Sequence, residues 1–193
     1  DKITYNQVPS RAMTKYRKSF YRHDEDRFTQ YISDVKQGTE TIKAGTLYPY
    51  DIVEKYMDFG YCNRRCCTID DVLEAQWKAL PNYIEEEENI IVMADVSGSM
   101  YGRPMASSVG LAIYFAERNS GPYKDMFMTF SSNPQFVKLK GASLAEKVAN
   151  AQTAEWGMGT NLEAAFMKVL KVAIENHVPT TDMPKAIVVI SDM

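Results

Sequence analysis

Ile90-Ile-Val-Met-Ala-Asp95-Val-Ser97-Gly-Ser99 decides how this chain is read. Five residues ending at Ala94, all apolar, make a strand of the kind that is buried on both faces. An acid, two hydroxyls and a glycine follow at once, so the strand ends in a polar turn. A second apolar run, Ala186-Ile-Val-Val-Ile190, ends the same way in Ser191-Asp192. Between them the pattern alternates. Pro104 to Asn119 carries a helical stripe of Met105, Val109, Ala112, Ile113 and Ala116, with the proline in its first turn. Strand patterns follow at Asp125–Phe130 and, after a turn at Ser132-Asn-Pro134, at Gln135–Lys140. Helices are expected at Ser143–Gln152 and Asn161–Asn176. The second should face inward through Leu162, Ala165, Phe166, Val169, Leu170, Ala173 and Ile174. This order predicts an α/β fold, an open and mostly parallel sheet with helices on both faces. In such sheets ligands bind beyond the carboxyl ends of the strands.

Upstream, the periods are helical. Phe28, Tyr31, Ile32 and Val35 fall at i, i+3, i+4 and i+7, with acids in front and Gly38 behind. Helices are also expected over Ser10–Tyr21, from Pro49 (Ile52, Val53, Tyr56, Met57) and from Thr68 (Val72, Leu73, Gln76, Trp77, Leu80). The chain therefore divides into an all-α region, 1–84, and an α/β region, 89–193, joined through Glu85-Glu-Glu-Glu88, which reads as a solvated linker. Residues 1–80 carry 13 basic and 12 acidic side chains, and residues 81–193 carry 9 and 13.

Composition removes several classes of function. The 193 residues hold 22 Lys+Arg against 25 Asp+Glu, so the formal net charge of -3 gives no electrostatic pull toward nucleic acid or membrane. No apolar run approaches the roughly 20 residues that cross a bilayer, so no membrane partner is expected. The three cysteines, Cys62, Cys66 and Cys67, are odd in number and crowded, which is no disulfide framework and fits a reducing cytoplasm. Zinc would need a fourth ligand, and His23 and His177 are distant in sequence, so free thiols are the better reading. There is no phosphate-binding Walker loop and no nucleophile elbow, and neither histidine lies near Ser97 or Ser99 in sequence to serve as a base.

Three loops converge on one sheet edge in this reading: Asp95-Val-Ser-Gly-Ser99, Gly157-Met-Gly-Thr-Asn161 and Ser191-Asp192. Carboxylates with hydroxyls form a hard-oxygen environment that suits Mg²⁺, or Mn²⁺. Gly98 would allow the tight turn that aims both serines at one point, and Gly157 and Gly159 would let their loop approach closely. Thr160 has a second possible use, since Thr160-x-x-Glu163 reads as a capping box for the following helix.

Asp95-x-Ser97-x-Ser99, then Thr160, then Asp192 closing an apolar strand, resembles the metal-ion-dependent adhesion site of a von Willebrand factor A-type (vWA) domain. The resemblance covers roughly residues 89–193. It implies a Rossmann-like vWA fold in which Ser97, Ser99 and Thr160 offer hydroxyl oxygens to the ion, with Asp95 and Asp192 acting directly or through water. It also implies a binding module, not an enzyme, whose ion captures an Asp or Glu of a protein partner. A complete vWA domain is nearly twice as long and continues past the strand that ends in Asp192, so a truncated vWA domain is expected. Val8-Pro-Ser10, Lys36-Gln-Gly38 and Leu47-Tyr-Pro49 ahead of it resemble a cytoplasmic family of unknown function distantly similar to Ro-type ribonucleoproteins. Two other functions stay open. One is RNA binding through Arg11, Lys15, Arg17 and Lys18, which sit among Tyr16 and Tyr21. The other is metal-dependent hydrolysis at the same ion.

Overall fold

A computed structural model describes residues 2–57, 68–84, 89–154, 159 and 161–192. Seven α-helices and four strands are seen among the described residues. The helices are α1 (Ser10–His23), α2 (Glu25–Gln37), α3 (Pro49–Val53), α4 (Asp71–Lys78), α5 (Arg103–Arg118), α6 (Leu144–Gln152) and α7 (Leu162–Glu175). The strands are β1 (Ile90–Ala94), β2 (Met126–Thr129), β3 (Phe136–Lys138) and β4 (Ala186–Ile190). They form one sheet in the order β3-β2-β1-β4. β1 pairs in parallel with β2 and with β4, Ala94 standing opposite Thr129 on one side and Ile190 on the other. Only β3 runs antiparallel. This is the mixed, mostly parallel α/β sheet with helices on both faces.

The helix ends are satisfied by the side chains that local chemistry favours. Glu25 and Asp26 occupy the first turn of α2, where the macrodipole favours acids, and Gly38 closes it at φ 77°. Asp70 caps α4 by accepting from the Val72 and Leu73 amides. At α6, Ser143 and Glu146 form a reciprocal capping box. Glu74, reaching across from α4, accepts from the Leu144 and Ala145 amides at 2.7 and 3.1 Å.

Alternation along β1 sends its side chains to two cores. Val92 and Ala94 pack with Phe127 against Val109 and Ile113 of α5, and the same cluster takes in Ile52, Val53, Trp77 and Leu80 from the helical half. Ile91 and Met93 face the other way, with Met128, Tyr123 and the α7 residues Ala165 and Val169. A third cluster, Tyr5, Met13, Phe28, Tyr31, Ile32, Ile42, Val72 and Ala75, lies within the helical half. α4 belongs to two of these at once, through Val72 and Ala75 on one side and Leu73 and Trp77 on the other. The hydrophobic core thus runs without a break from the helical region into the sheet.

Three expectations need correction. α7 docks through the small residues Ala165 and Ala173 together with Val169, all buried, while Leu162, Phe166, Leu170 and Ile174 are exposed. The cap of α7 is Asn161, whose side chain accepts from the Ala164 amide at 2.9 Å, so Thr160 is not its N-cap. Gly98 has no positive φ and open space around its Cα, whereas Gly102, opening α5 at φ 88° and ψ -133°, holds a conformation that L-residues avoid. Cys62, Cys66, Cys67, Glu85 to Glu88, Gly157 and Thr160 lie outside the described residues.

Candidate metal centre

β1 delivers Asp95 to the carboxyl edge of the sheet. Its amide continues the strand pairing by donating to the Ile190 carbonyl at 3.0 Å, which places Asp95 beside Ser191 at the end of β4. The Asp95 side chain is 4% exposed. One carboxylate oxygen accepts from the Ser97 amide at 2.8 Å and the other from the Ser191 hydroxyl at 2.7 Å. Neither bond brings a positive charge, and no Lys, Arg or His forms an ion pair with Asp95 among the described residues. A buried carboxylate held only by neutral donors is an electrostatic cost that a cation at this position would offset.

The turn beyond Asp95 aims the two serines together. Residues Gly98–Met100 form a single 3-10 turn, closed by the Met100 amide on the Ser97 carbonyl at 3.0 Å. Met100 is 2% exposed and plugs the turn into the protein beneath it. The hydroxyl oxygens of Ser97 and Ser99 stand 3.0 Å apart. Adjacent oxygens around an octahedral Mg²⁺ with bonds of 2.0–2.1 Å are roughly 2.9–3.0 Å apart, so the pair has the spacing of two neighbouring ligands. Among the described residues no three His, Cys, Asp or Glu side chains converge as a metal cluster. A cation held here would therefore depend largely on hydroxyls and water, the donors that hard ions accept and zinc disfavours.

The remaining sequence candidates are placed as follows. Asp192 follows Ser191 at the end of β4 and is exposed. Thr160 is outside the described residues, but its neighbours frame its loop. Gly159, at φ 82°, lies so close to Ser132 that a Cβ would come within 2.5 Å of the Ser132 hydroxyl oxygen, and Asn161 caps α7. Ser132 follows β2 by three residues, so Gly159 lies beside the segment that leaves β2. Two contributors were given no role in the sequence reading: Ser191, placed there only within the loop after the last strand, and Met100. Strand register was the available signal for Ser191, because parallel pairing of β1 and β4 sets it beside Asp95. Met100 follows the serines directly, and only the turn geometry reveals that it is buried.

The four basic candidates on α1 line one open cavity, together with Asp51, Glu54 and Lys55. Arg17 is locked in the structure, with Nε 2.6 Å from Asp70 and a second nitrogen donating to the Thr14 carbonyl at 2.6 Å. Arg11 lies 3.9 Å from Asp51, and the Lys15 ammonium sits 5.1 Å from the ring centroid of its neighbour Tyr16. Lys18 is exposed. No helix among the described residues is long and apolar enough to cross a membrane.

With this geometry in hand, the comparisons with other proteins fall into place. Residues 89–193, more than half of the chain, match the family described as domain of unknown function DUF7788. The chain belongs to this family. The DUF7788 part carries the whole sheet and the Asp95 turn, and residues 1–90 ahead of it match a second domain of unknown function, DUF2828. The uncharacterized protein L728 of Acanthamoeba polyphaga mimivirus is 29% identical over 209 residues. That similarity takes in all of this chain and 35% of the viral protein, so the chain spans about a third of its curated relative's length. No solved structure matches this DUF7788 protein.

Proposed function

We propose that the DUF7788 half is a vWA-type binding module. In this reading Asp95, Ser97, Ser99, Thr160 and Asp192 hold Mg²⁺, or Mn²⁺, which captures an Asp or Glu side chain of a protein partner. The observation that carries the reading is the Ser97–Ser99 oxygen pair at 3.0 Å, set beside a buried carboxylate that has no counter-charge among the described residues. Three of the five proposed ligands are neutral hydroxyls, so the ion would keep part of its charge for an incoming anion. Asp95 supplies the charge that fixes the ion, Ser97 and Ser99 set its position on a short rigid turn, and the Ser191 hydroxyl orients the Asp95 carboxylate. Binding, not turnover, is what such a set performs. A hydrolase would also need a base or nucleophile, and no histidine accompanies Asp95 in its hydrogen bonds among the described residues.

Thermal melting in Mg²⁺ and in EDTA tests this. The parent chain should melt higher with Mg²⁺, by the amount that ligand binding to the folded state alone confers, and Asp95→Ala should show no difference between the two conditions. Identical responses of parent and variant would overturn the reading. The RNA reading retains Arg11, Lys15 and Lys18 as solvent-facing cations but not Arg17, whose side chain is only 12% exposed. It predicts salt-sensitive retention of RNA that disappears when the three are replaced by Ala.

A further inference from the structure

The residues directly after the Asp95 turn build a second feature, an aromatic and cationic ledge. Tyr101 is 62% exposed, and Arg103 holds its guanidinium 5.4 Å from the ring centroid of Tyr50. The rings of Tyr50 and Tyr48 are stacked, 5.7 Å apart and 10° from parallel, with Tyr48 59% exposed. The ledge is fixed to the scaffold rather than draped on it. The Asp51 carboxylate accepts from the Tyr48 amide at 3.0 Å while the Asp51 amide donates to the Tyr48 carbonyl at 3.0 Å, and the backbone of Pro49 and Tyr50 lies so close to Gly110 of α5 that a Cβ there would approach them to 3.2 Å. α3 is thereby held against the helix that the Asp95 turn leads into. Arg103 stands four positions after Ser99, so their Cα atoms lie no more than roughly 14 Å apart.

We propose that this ledge reads the residues flanking the captured acid, selecting a partner segment that carries an aromatic side chain within about four residues of its Asp or Glu. An extended segment advances about 3.3–3.6 Å per residue, so four residues suffice to cover the longest separation the chain allows. A ring arriving there meets an exposed tyrosine face and a guanidinium already oriented by another ring, which are favourable partners that need little further ordering. Charge argues for a peptide over a nucleic acid. Arg103 has the Glu54 carboxylate at 3.7 Å and Arg11 has Asp51 at 3.9 Å, so the ledge offers no run of uncompensated cations for a phosphate backbone. The inference rests on the acid-capture reading and extends it from one captured side chain to a short sequence.

A random dodecapeptide library displayed on phage, selected on the full chain in Mg²⁺ and in EDTA, tests both together. The expected result is a set of Mg²⁺-dependent peptides with an acid and an aromatic residue at that spacing. The enriched peptide should bind Tyr48→Ala and Arg103→Gln about tenfold more weakly, while both variants keep the parent's melting shift with Mg²⁺. Tyr50→Leu, which keeps an apolar side chain at the half-buried position but removes the ring, should weaken binding similarly. Mg²⁺-dependent peptides with an acid and no aromatic preference would overturn the ledge and leave acid capture standing. No Mg²⁺-dependent peptide at all would overturn both. Displacement of the peptide by oligouridylate from the parent, but not from Tyr48→Ala, would overturn the choice of a peptide in favour of nucleic acid.

Discussion

Single residues decide whether the Asp95 turn can form, and the glycine that matters is not the one inside the motif. Gly98 looks indispensable between two serines, yet its backbone is ordinary and a Cβ there would meet nothing. Gly102, at φ 88° and ψ -133°, swings the chain from the turn into α5, so strain from any side chain falls on the joint between site and helix. Gly102→Ala should therefore lower stability by about 1–3 kcal/mol, whereas Gly98→Ala should stay within about 0.5 kcal/mol, both read from urea unfolding. Equal costs at the two positions would show that the turn is not built as described. That Asp95, Ser97 and Ser99 share one turn at the end of β1 was legible from spacing and the strand end alone. Gly102 was not, because nothing in a sequence window distinguishes a glycine needed for its dihedral angles from one merely tolerated.

At the scale of elements, the strands and helices were largely legible because period and caps agree. Glu25 and Asp26 before the stripe of α2 and Gly38 after it, or Asp70 before α4, mark boundaries that the structure keeps. α7 shows where that logic stops. Its sequence is apolar most of the way round, and periodicity cannot choose a docking face when several faces qualify. Packing chose Ala165, Val169 and Ala173, all buried, and Ala165 and Val169 join Ile91, Met93 and Tyr123 in one cluster. The larger Leu162, Phe166, Leu170 and Ile174 are exposed, as is Val189 on β4, which among the described residues pairs only with β1. The assignment is testable by contrast. Val169→Ala should cost about 1–3 kcal/mol through lost burial, while Phe166→Gln should change stability by less than about 0.5 kcal/mol. The reverse order of costs in urea unfolding would mean that α7 docks through its other face.

The whole molecule is held together across the boundary between its two families by shared apolar packing and by a few buried polar staples. Glu74 of α4 accepts the Tyr56 hydroxyl at 2.9 Å while capping α6, and Trp77 donates to Glu117 of α5 at 2.8 Å, with Lys147 of α6 on the same carboxylate at 2.6 Å. Gln76, fully buried, reaches the Ser10 carbonyl and the Thr14 hydroxyl. These staples join sequence positions some 18 to 70 residues apart, which is why neither local period nor motif reveals them. They also give the molecule a pH limit. Desolvation, followed by the neighbouring Glu74 charge, pushes the Tyr56 hydroxyl far above its usual value. Burial likewise pushes Tyr5 up to about 12, helped by its hydrogen bond to Asp24, and Tyr31 up to about 12. A group whose pKa is raised in the folded state gives stability that is whole below its unfolded value, near 10 for tyrosine, and is lost as pH climbs beyond it. The urea midpoint should therefore hold steady from neutral pH to about 10 and then fall progressively toward pH 12. Tyr56→Phe has no proton to lose at this position. It should be less stable than the parent at neutral pH, where the bond to Glu74 is missing, yet lose less stability over the alkaline interval. Because the core is continuous from the helical half to the sheet, tyrosine absorbance and tryptophan fluorescence should follow one transition in both proteins. Parallel alkaline losses in parent and variant would remove Tyr56 from this account.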